Sequence, residues 1–196
     1  MNNKVQAKEV IERFKKTGAL LEGHFILTSG LHSANYLQCA LVLQHPAEAA
    51  AFGAAIATHF REQGIQSVAA PAIGGIIIGY EVARSLGARF IWTERDATNG
   101  RMTLRRGFTV RQGEKILVVE DVVTTGGSTR ETIEVLRAFG ASVVGAASII
   151  DRSMGRADVG VLRMALATLD VPAFAPVSCD LCARGIEAVK PGSRKK

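Results

Sequence analysis

The stretch that decides the fold is Lys115-Ile-Leu-Val-Val-Glu-Asp-Val-Val-Thr-Thr-Gly-Gly-Ser-Thr129. Its apolar run at residues 116–119 predicts a buried strand, which ends in two adjacent carboxylates, Glu120 and Asp121. A loop of Thr and Gly follows, and a helical pattern begins at Ser128. Backbone N–H groups in such a loop, and in the first turn of such a helix, can point at phosphate oxygens, while the carboxylates lie where sugar hydroxyls would reach them. The segment therefore predicts a binding site for a sugar phosphate.

The loop differs from the two most familiar phosphate loops. A Walker A loop ends in Gly-Lys-Ser/Thr and a dinucleotide loop reads Gly-x-Gly-x-x-Gly, and neither pattern is present. We therefore expect a single phosphate to be held by backbone and hydroxyl groups, without a lysine. Ser128 and Glu131 also fit a capping box, Ser-x-x-Glu, so Ser128 has an alternative role as a helix cap. Both roles are compatible, because a cap and a phosphate use neighbouring N–H groups.

Strand and helix patterns alternate on both sides of this segment. The expected strands are residues 65–72, 88–93, 115–121 and 141–151, and the expected helices are residues 4–17, 46–63, 75–86 and 128–139. Strand–helix–strand at this spacing predicts a parallel sheet with crossover helices. Residues 23–43 instead hold short β-leaning pieces, at 25–27 and 36–39, that suggest a small substrate-facing subregion outside the main sheet. The predicted fold is α/β, with a central, mostly parallel sheet flanked by helices and a small N-terminal hood.

We expect residues 1–196 to form a single domain, with the hood contributed mainly by residues 18–44. A chain of 196 residues with 47% hydrophobic and 21% charged content is typical of a globular protein with one sizeable core. Its longest nearly apolar stretch, residues 68–79, is shorter than the roughly 20 residues that a membrane helix needs. The N-terminus lacks the apolar segment of a secretory signal, so we expect a cytoplasmic location and no membrane partner.

The net charge of +6 indicates a solvated basic surface, a site for polyphosphates or a nucleic-acid patch. The basic residues are dispersed or lie in predicted loops, without interleaved aromatic residues or a helix-turn-helix pattern. An anionic small molecule is therefore favoured as the ligand, and no nucleic-acid partner is expected.

The chain has three cysteines, Cys39, Cys179 and Cys182. This odd, low number argues against a disulfide framework. Cys179 and Cys182 have the spacing of a metal half-site, but all four histidines precede residue 60 and none is near in sequence. Packing is the favoured interpretation of this pair, and a zinc site shared across a dimer is the alternative.

The acid pair and the loop that follows it closely resemble the 5-phosphoribosyl diphosphate (PRPP) loop of type I phosphoribosyltransferases. The resemblance implies catalytic roles for Glu120 and Asp121 at the ribose. The positions that it assigns to PRPP are Glu120, Asp121, Val122, Val123, Thr124, Thr125, Gly126, Gly127 and Ser128.

Two further segments resemble the orotate phosphoribosyltransferases of this superfamily. Residues 25–38, Phe-Ile-Leu-Thr-Ser-Gly-Leu-His-Ser-Ala-Asn-Tyr-Leu-Gln, look like the hood segment, which places an aromatic residue against the pyrimidine, here Tyr36. Ile150-Asp-Arg152 resembles the strand-end Asp-Arg whose arginine meets orotate, and a guanidinium is the best bidentate partner for a carboxylate. Thr124 is a further expected orotate contact. The alternative for Arg152 is a surface salt bridge with an aspartate, Asp151 or Asp158.

Residues 95–113 form a polar loop, and a loop of this length in a compact domain is more often a lid or binding loop than a plain connection. The loop holds five arginines, Arg95, Arg101, Arg105, Arg106 and Arg111. The resemblance implies a mobile lid over the diphosphate, shared across the interface of a homodimer. Many orotate enzymes carry lysines and a histidine here, whereas this chain has no Lys between Lys16 and Lys115. Arg95 is the candidate catalytic residue in their place. Residues 72–75, Ala-Ile-Gly-Gly, likewise replace a more polar diphosphate loop.

The resemblance implies that PRPP and orotate are converted to orotidine 5′-monophosphate and diphosphate, a step of pyrimidine biosynthesis. It implies Mg²⁺ as cofactor, held mainly by substrate and water without a direct protein ligand. Two alternatives remain open: a phosphoribosyltransferase for a purine or uracil, and a PRPP-sensing regulator that binds nucleic acid.

Overall fold

The computed structural model describes residues 7–27 and 29–191. The helices are α1 Ala7–Lys16, α2 Cys39–Leu43, α3 Pro46–Thr58, α4 Gly75–Leu86, α5 Gly127–Ala138 and α6 Asp180–Ala183, with short 3₁₀ turns at Arg61–Gln63 and Pro176–Ser178. The strands are β1 Leu20–Ile26, β2 His32–Leu37, β3 Ser67–Pro71, β4 Arg89–Arg95, β5 Met102–Leu104, β6 Lys115–Val123, β7 Ser142–Asp151 and β8 Arg163–Thr168. Within these described residues no helix is long and apolar enough to cross a bilayer.

Six of the strands form one sheet in the order β5-β4-β3-β6-β7-β8. Strands β4, β3, β6, β7 and β8 are mutually parallel, and β5 pairs antiparallel to β4 at one edge. The predicted α/β fold with a mostly parallel sheet is therefore confirmed. The carboxyl ends of the parallel strands meet at one edge, which is where sites in such sheets form.

The apolar run of β6 is buried because both faces of the sheet are covered. Leu117 and Val119 pack in the core that includes α1, α3 and α4, whereas Ile116 and Val118 pack against α5. All four side chains are fully buried, and each contributes about 1.5–3 kcal/mol relative to an exposed position. Successive side chains point to opposite faces, and because both faces are covered the strand is continuously apolar.

The hood is a separate two-stranded antiparallel sheet of β1 and β2. It confirms the predicted N-terminal subregion, although Thr28 of the proposed hood segment lies outside the described residues. The C-terminal segment, residues 172–191, contacts the hood at two places. Val189 exchanges backbone hydrogen bonds with His24 and Ile26, and Phe174 exchanges them with His32, each at 2.8 Å. This attachment was not predicted from the sequence.

Several predicted boundaries are wrong. The expected strand at residues 36–39 ends at Leu37, because Cys39 already begins α2. The expected helix 46–63 stops at Thr58 and continues only as a 3₁₀ turn before Gly64, which has the left-handed φ of +67°. The polar loop 95–113 contains β5, so that β4 and β5 form a hairpin. Strand β8 was not predicted at all, and residues 4–6 of the first expected helix lie outside the described residues.

Candidate active site

Residues 115–129 form a strand, a turn and a helix N-terminus at the carboxyl edge of the sheet. Strand β6 ends at Val123, and α5 begins at Gly127. Gly126 has a φ of +79°, and a Cβ atom there would lie 2.7 Å from Cγ1 of Val159. Only glycine therefore fits this position without movement. No side chain caps α5, so its first N–H groups are available to an anion at this edge.

The loop presents different groups along its length. Thr124 and Thr125 are exposed, so their hydroxyl groups can reach a ligand. Val123 is buried, and its carbonyl oxygen accepts a hydrogen bond from the N–H of Arg152 at 2.8 Å. The side chain of Val123 therefore belongs to the core, and this position can meet a ligand only through its backbone.

The two carboxylates that precede the loop are held close to the start of the helix. Glu120 is buried, and its Oε2 accepts a hydrogen bond of 3.0 Å from the hydroxyl of Ser128. Asp121 is half-buried, and its Oδ1 accepts a hydrogen bond of 2.8 Å from the N–H of Val122. Burial raises the pKa of both carboxyl groups, and the negative charge of Asp121 raises the pKa of Glu120 further. A positive charge on a ligand would relieve this repulsion.

The predicted capping box is wrong. Gly126 occupies the N-cap position and Ser128 is the second residue of α5. The Ser128 hydroxyl bonds to Glu120, and Glu131 forms a bidentate pair with Arg95, at 2.8 Å from Nη1 to Oε2 and 3.2 Å from Nη2 to Oε1. The box does not form because α5 begins before Ser128, and the side chains of Ser128 and Glu131 both bond to residues outside the helix.

A second loop, between β3 and α4, lies against the acid pair. A Cβ atom at Gly74 would lie 2.8 Å from Oδ1 of Asp121, and one at Gly75 would lie 3.1 Å from Oε1 of Glu120. The peptide bond between Ala72 and Ile73 is cis. Helix α4 begins at Gly75, so a second helix N-terminus opens at the same edge. From sequence, this stretch stood out only for its low polarity. The carboxylate of Asp121 leaves no room for a side chain at Gly74, and the carbonyl oxygen of Val119, 2.9 Å from the Cβ position, leaves none at Gly75.

Arg152 follows β7 and faces the hood. Its Nε is buried, and within the described residues it has no hydrogen-bond partner. Burial lowers the pKa of Arg152, while the nearby Cys39 and Tyr36 act in the opposite direction. Cys39 also contacts Asp121, and burial followed by the charge of Asp121 raises the pKa of this thiol. The structure therefore brings Tyr36, Arg152, Cys39 and the acid pair into one neighbourhood.

The salt bridges considered for Arg152 are not formed. Oδ2 of Asp151 pairs with Nη1 of Arg163 at 3.0 Å, and Oδ1 accepts hydrogen bonds from Ser153. The carboxylate of Asp158 accepts a hydrogen bond of 2.9 Å from the N–H of Gly160. Since these aspartates are already engaged, the guanidinium of Arg152 is left for another anion.

The arginines of the 95–113 loop are not gathered into one cluster. Glu94 pairs with Arg106 at 3.0 Å and with Arg105 at 3.6 Å, and Glu114 pairs with Arg111 at 3.8 Å. Within the described residues Arg101 forms no salt bridge. The ring of Phe108 also packs on Trp92, with centroids 4.6 Å apart. Within the described residues these contacts hold the hairpin against the sheet, and Arg95 is the loop arginine that forms a salt bridge with α5, through Glu131.

Comparisons with known proteins agree with this geometry. The phosphoribosyl transferase domain family matches residues 40–174. The orotate phosphoribosyltransferase of Desulforamulus reducens is 54% identical over 96% of this chain and 97% of that protein. That of Thermotoga maritima is 52% identical over 95% of this chain and 97% of that protein. Among solved structures, the orotate phosphoribosyltransferase of Aeropyrum pernix superposes with a TM-score of 0.69 at 27% identity, over 82% of this chain and 93% of that one. By sequence and by fold, the chain therefore belongs to the type I phosphoribosyltransferase family, in its orotate phosphoribosyltransferase branch.

Proposed function

We propose that this chain transfers the phosphoribosyl group of PRPP to orotate, giving orotidine 5′-monophosphate and diphosphate in pyrimidine biosynthesis. The observation that carries the proposal is the buried Nε of Arg152, which has no hydrogen-bond partner among residues 7–27 and 29–191 and lies at the same sheet edge as the acid pair and the phosphate loop. A buried donor without a partner costs about 1–3 kcal/mol, so a carboxylate that satisfies it would gain that amount. The relatives that cover nearly the whole chain carry the name of this activity.

The 5′-phosphate is assigned to the turn at residues 124–128. Exposed hydroxyl groups of Thr124 and Thr125 and the uncapped N–H groups of α5 converge on this turn. The helix dipole adds about 0.3–1 kcal/mol at an exposed terminus. The absence of a lysine from the motif is consistent with a single phosphate that is held by neutral donors.

The acid pair is assigned to the ribose. Displacement of diphosphate at the anomeric carbon passes through a sugar with cation-like character, which two neighbouring carboxylates stabilise electrostatically. Hydrogen bonds from the ribose hydroxyls to Glu120 and Asp121 would fix the ring for in-line attack, and this positioning lowers the barrier further. The raised pKa values show that burial and mutual repulsion disfavour two negative charges on this pair. The positive charge that develops on the sugar would reduce that repulsion.

Mg²⁺ is the proposed cofactor, and the donor set at this edge fits it. Mg²⁺ usually keeps several waters and binds substrate phosphates, so we propose that PRPP and water hold it without a direct protein ligand, while Glu120 and Asp121 add negative charge close by. When bound, the ion would neutralise charge on the departing diphosphate. The residues of the chain would do the rest, by holding the ribose, the 5′-phosphate and the base.

Orotate is assigned to the space between the hood and the end of β7. Arg152 would bind the carboxylate of orotate, and the ring of Tyr36, which packs on Phe25 with centroids 5.7 Å apart, would border the pyrimidine. Thr124, next to the strand end that carries Arg152, is the proposed hydroxyl contact. Arg95 is proposed as the lid residue that meets the diphosphate, after it leaves Glu131.

A homodimer is part of the proposal, because a shared lid requires a second subunit. The outer surface of α4 and the loop before it supports this idea. Ile73, Ile77 and Tyr80 are 85%, 46% and 57% exposed and follow one another at helical spacing. Such an apolar stripe beside the site is a candidate contact between two copies. The cytoplasmic location expected from the sequence stays a prediction.

The test is consumption of orotate, followed by its absorbance, in the presence of PRPP and Mg²⁺. Wild type is expected to turn over orotate and to leave uracil and adenine unchanged. Arg152→Ala is expected to raise the KM for orotate by about 10–100-fold, since the ion pair to a carboxylate is lost. Arg61→Ala, which removes an exposed arginine of the 3₁₀ turn at Arg61–Gln63, is the matched control. Absence of turnover by wild type would refute the enzyme, and equal use of uracil would refute the role of Arg152.

A further inference from the structure

Two histidines of the hood and two cysteines of the C-terminal segment meet in one cluster. His24 lies on β1, His32 on β2, and Cys179 and Cys182 frame the first turn of α6. One ring nitrogen from each histidine and the two sulfur atoms all lie within 4.8 Å of one another. His24, His32 and Cys179 are buried. None of the four has a role in the proposed reaction.

The separations between these atoms are close to those of a tetrahedral zinc site. Nε2 of His24 lies 2.8 Å from Nδ1 of His32, 3.5 Å from Sγ of Cys179 and 3.7 Å from Sγ of Cys182. Nδ1 of His32 lies 3.2 Å from Sγ of Cys182. With ordinary zinc bond lengths, a tetrahedron gives about 3.4 Å between nitrogens and about 3.6 Å between nitrogen and sulfur. Among these four separations the two nitrogens differ most from the tetrahedral value, by about 0.6 Å, so small side-chain movements would admit the ion.

Hydrogen bonds among the four residues do not provide every ring nitrogen and thiol with a suitable partner. Nδ1 of His24 lies 2.7 Å from the carbonyl oxygen of Ile186, so it carries a proton, and in the neutral imidazole Nε2 then has a lone pair. If Nδ1 of His32 also carries a proton, three donors compete for that one lone pair. If it does not, two lone pairs face each other at 2.8 Å. A bound cation resolves both cases, because every one of the four atoms then donates a lone pair to it.

The surroundings of His24 match those of a metal ligand. Histidines that bind a metal usually donate their other ring N–H to a carboxylate or a backbone carbonyl, as His24 does to Ile186. The register between β1 and β2 also shifts between Glu22 and Phe25. This irregularity leaves both His24 and Phe25 buried, where regular alternation would expose one of them.

The C-terminal segment buries too little apolar surface to be held in place by packing alone. From Pro172 to Pro191 its buried side chain is Cys179, while Val177 is 97% exposed, Val189 57% and Phe174 45%. Helix α6 has only four residues. Segments with so little apolar burial are commonly stabilised by a metal or by disulfides.

The sequence did not reveal this site because its two halves are far apart along the chain. Cys182 and His32, for example, are separated by 150 positions. Only the folded chain brings the hood and the C-terminal segment together, through the backbone hydrogen bonds of Phe174 and Val189.

We propose that His24, His32, Cys179 and Cys182 bind one structural Zn²⁺ ion within a single chain. Four protein ligands fill a tetrahedral shell, which is characteristic of structural and not catalytic zinc. Thiolate and imidazole donors favour zinc over Mg²⁺ or Ca²⁺. The ion would fasten the C-terminal segment to the hood that carries Tyr36. Packing was the favoured sequence interpretation of Cys179 and Cys182, and a zinc site shared across a dimer was the alternative; the proposal replaces both with a site within one chain.

The experiment uses the full chain, purified with a reductant and without chelator, then supplied with Zn²⁺ or Co²⁺ and freed of excess metal. We expect one zinc per chain by elemental analysis, and for Co²⁺ the visible and near-ultraviolet bands of tetrahedral cobalt bound to thiolates. Cys182→Ser and His32→Ala are expected to contain no more metal than the buffer does. Cys39→Ser and His59→Asn, which change the same residue types outside the cluster, are the matched controls and are expected to retain it.

Three results would overturn the proposal. They are wild type without zinc or cobalt above background, Cys182→Ser with the metal content of wild type, and a reduced and reconstituted chain that still contains a Cys179–Cys182 disulfide by mass. If Cys182→Ser fails to fold, the cobalt spectrum of Cys39→Ser decides. That variant keeps only Cys179 and Cys182, so thiolate-to-cobalt bands with the intensity of two Co–S bonds assign both sulfurs to the ion, and the absence of such bands refutes the site. These readouts are independent of orotate turnover.

Discussion

At the scale of single residues, the acid pair combines a functional gain with a cost in stability. Burial raises the pKa of Glu120 above its unfolded value of about 4.3. Between the unfolded and the folded pKa, the folded protein therefore binds more protons than the unfolded one. The free energy of unfolding contributed by this group is present below the unfolded pKa and is lost as the pH rises through the folded pKa. The site therefore holds a charge that the empty protein accommodates poorly.

We predict that Glu120→Gln is more stable than wild type at pH 8 and no more stable at pH 4, because glutamine has no proton to lose. Its kcat should fall by about 100-fold or more, since one electrostatic stabiliser of the transition state is removed. Thermal unfolding across this pH range and orotate turnover measure the two effects. Glu134→Gln, an exposed site on α5, is the control and should change neither. A stability difference that does not grow with pH would contradict the assigned pKa shift.

At the scale of elements, the order of strands and helices around the site was predictable, because β3, β6 and β7 are continuous apolar runs followed by helical or loop signals. Strands β5 and β8 were missed since they are short or lie at sheet edges and are only partly buried. The acid pair and the phosphate loop are contiguous, so one sequence window contained them. The approach of Gly74 to Asp121 and of Cys39 to Asp121 depends on tertiary contacts that no local pattern encodes.

We predict that Gly126→Ala raises the KM for PRPP by about tenfold or more. The substituted residue would have to adopt a left-handed conformation, at about 1–2 kcal/mol, and its Cβ atom would also displace the loop from Val159. Gly87→Ala is the matched control, because Gly87 has a φ of +65° but open space around its Cβ position. It should lose similar conformational stability without any change in KM. An unchanged KM in Gly126→Ala would show that the loop does not position the phosphate.

The hairpin of β4 and β5 allows the lid assignment to be tested within one element. We predict that Arg95→Ala lowers kcat by at least about tenfold while costing at most about 1 kcal/mol of stability, because its pair with Glu131 is exposed. Arg106→Ala, which removes an arginine paired with Glu94 in the same hairpin, should leave kcat nearly unchanged. Steady-state turnover and chemical denaturation separate the two effects. Equal losses of kcat in both variants would assign the hairpin a merely structural role.

At the scale of the whole molecule, the exposed stripe of Ile73, Ile77 and Tyr80 predicts self-association through α4. We expect Ile77→Glu to elute and scatter as a monomer where wild type is a dimer, because a carboxylate in the middle of an apolar contact is left desolvated and unpaired. Leu162→Glu changes an apolar residue that is 90% exposed outside α4, and should remain dimeric. If the lid acts across subunits, the Ile77 variant also loses turnover at concentrations where it is monomeric. A fully active monomer would show that each chain supplies its own lid, and a dimeric Ile77→Glu would place the contact on another surface.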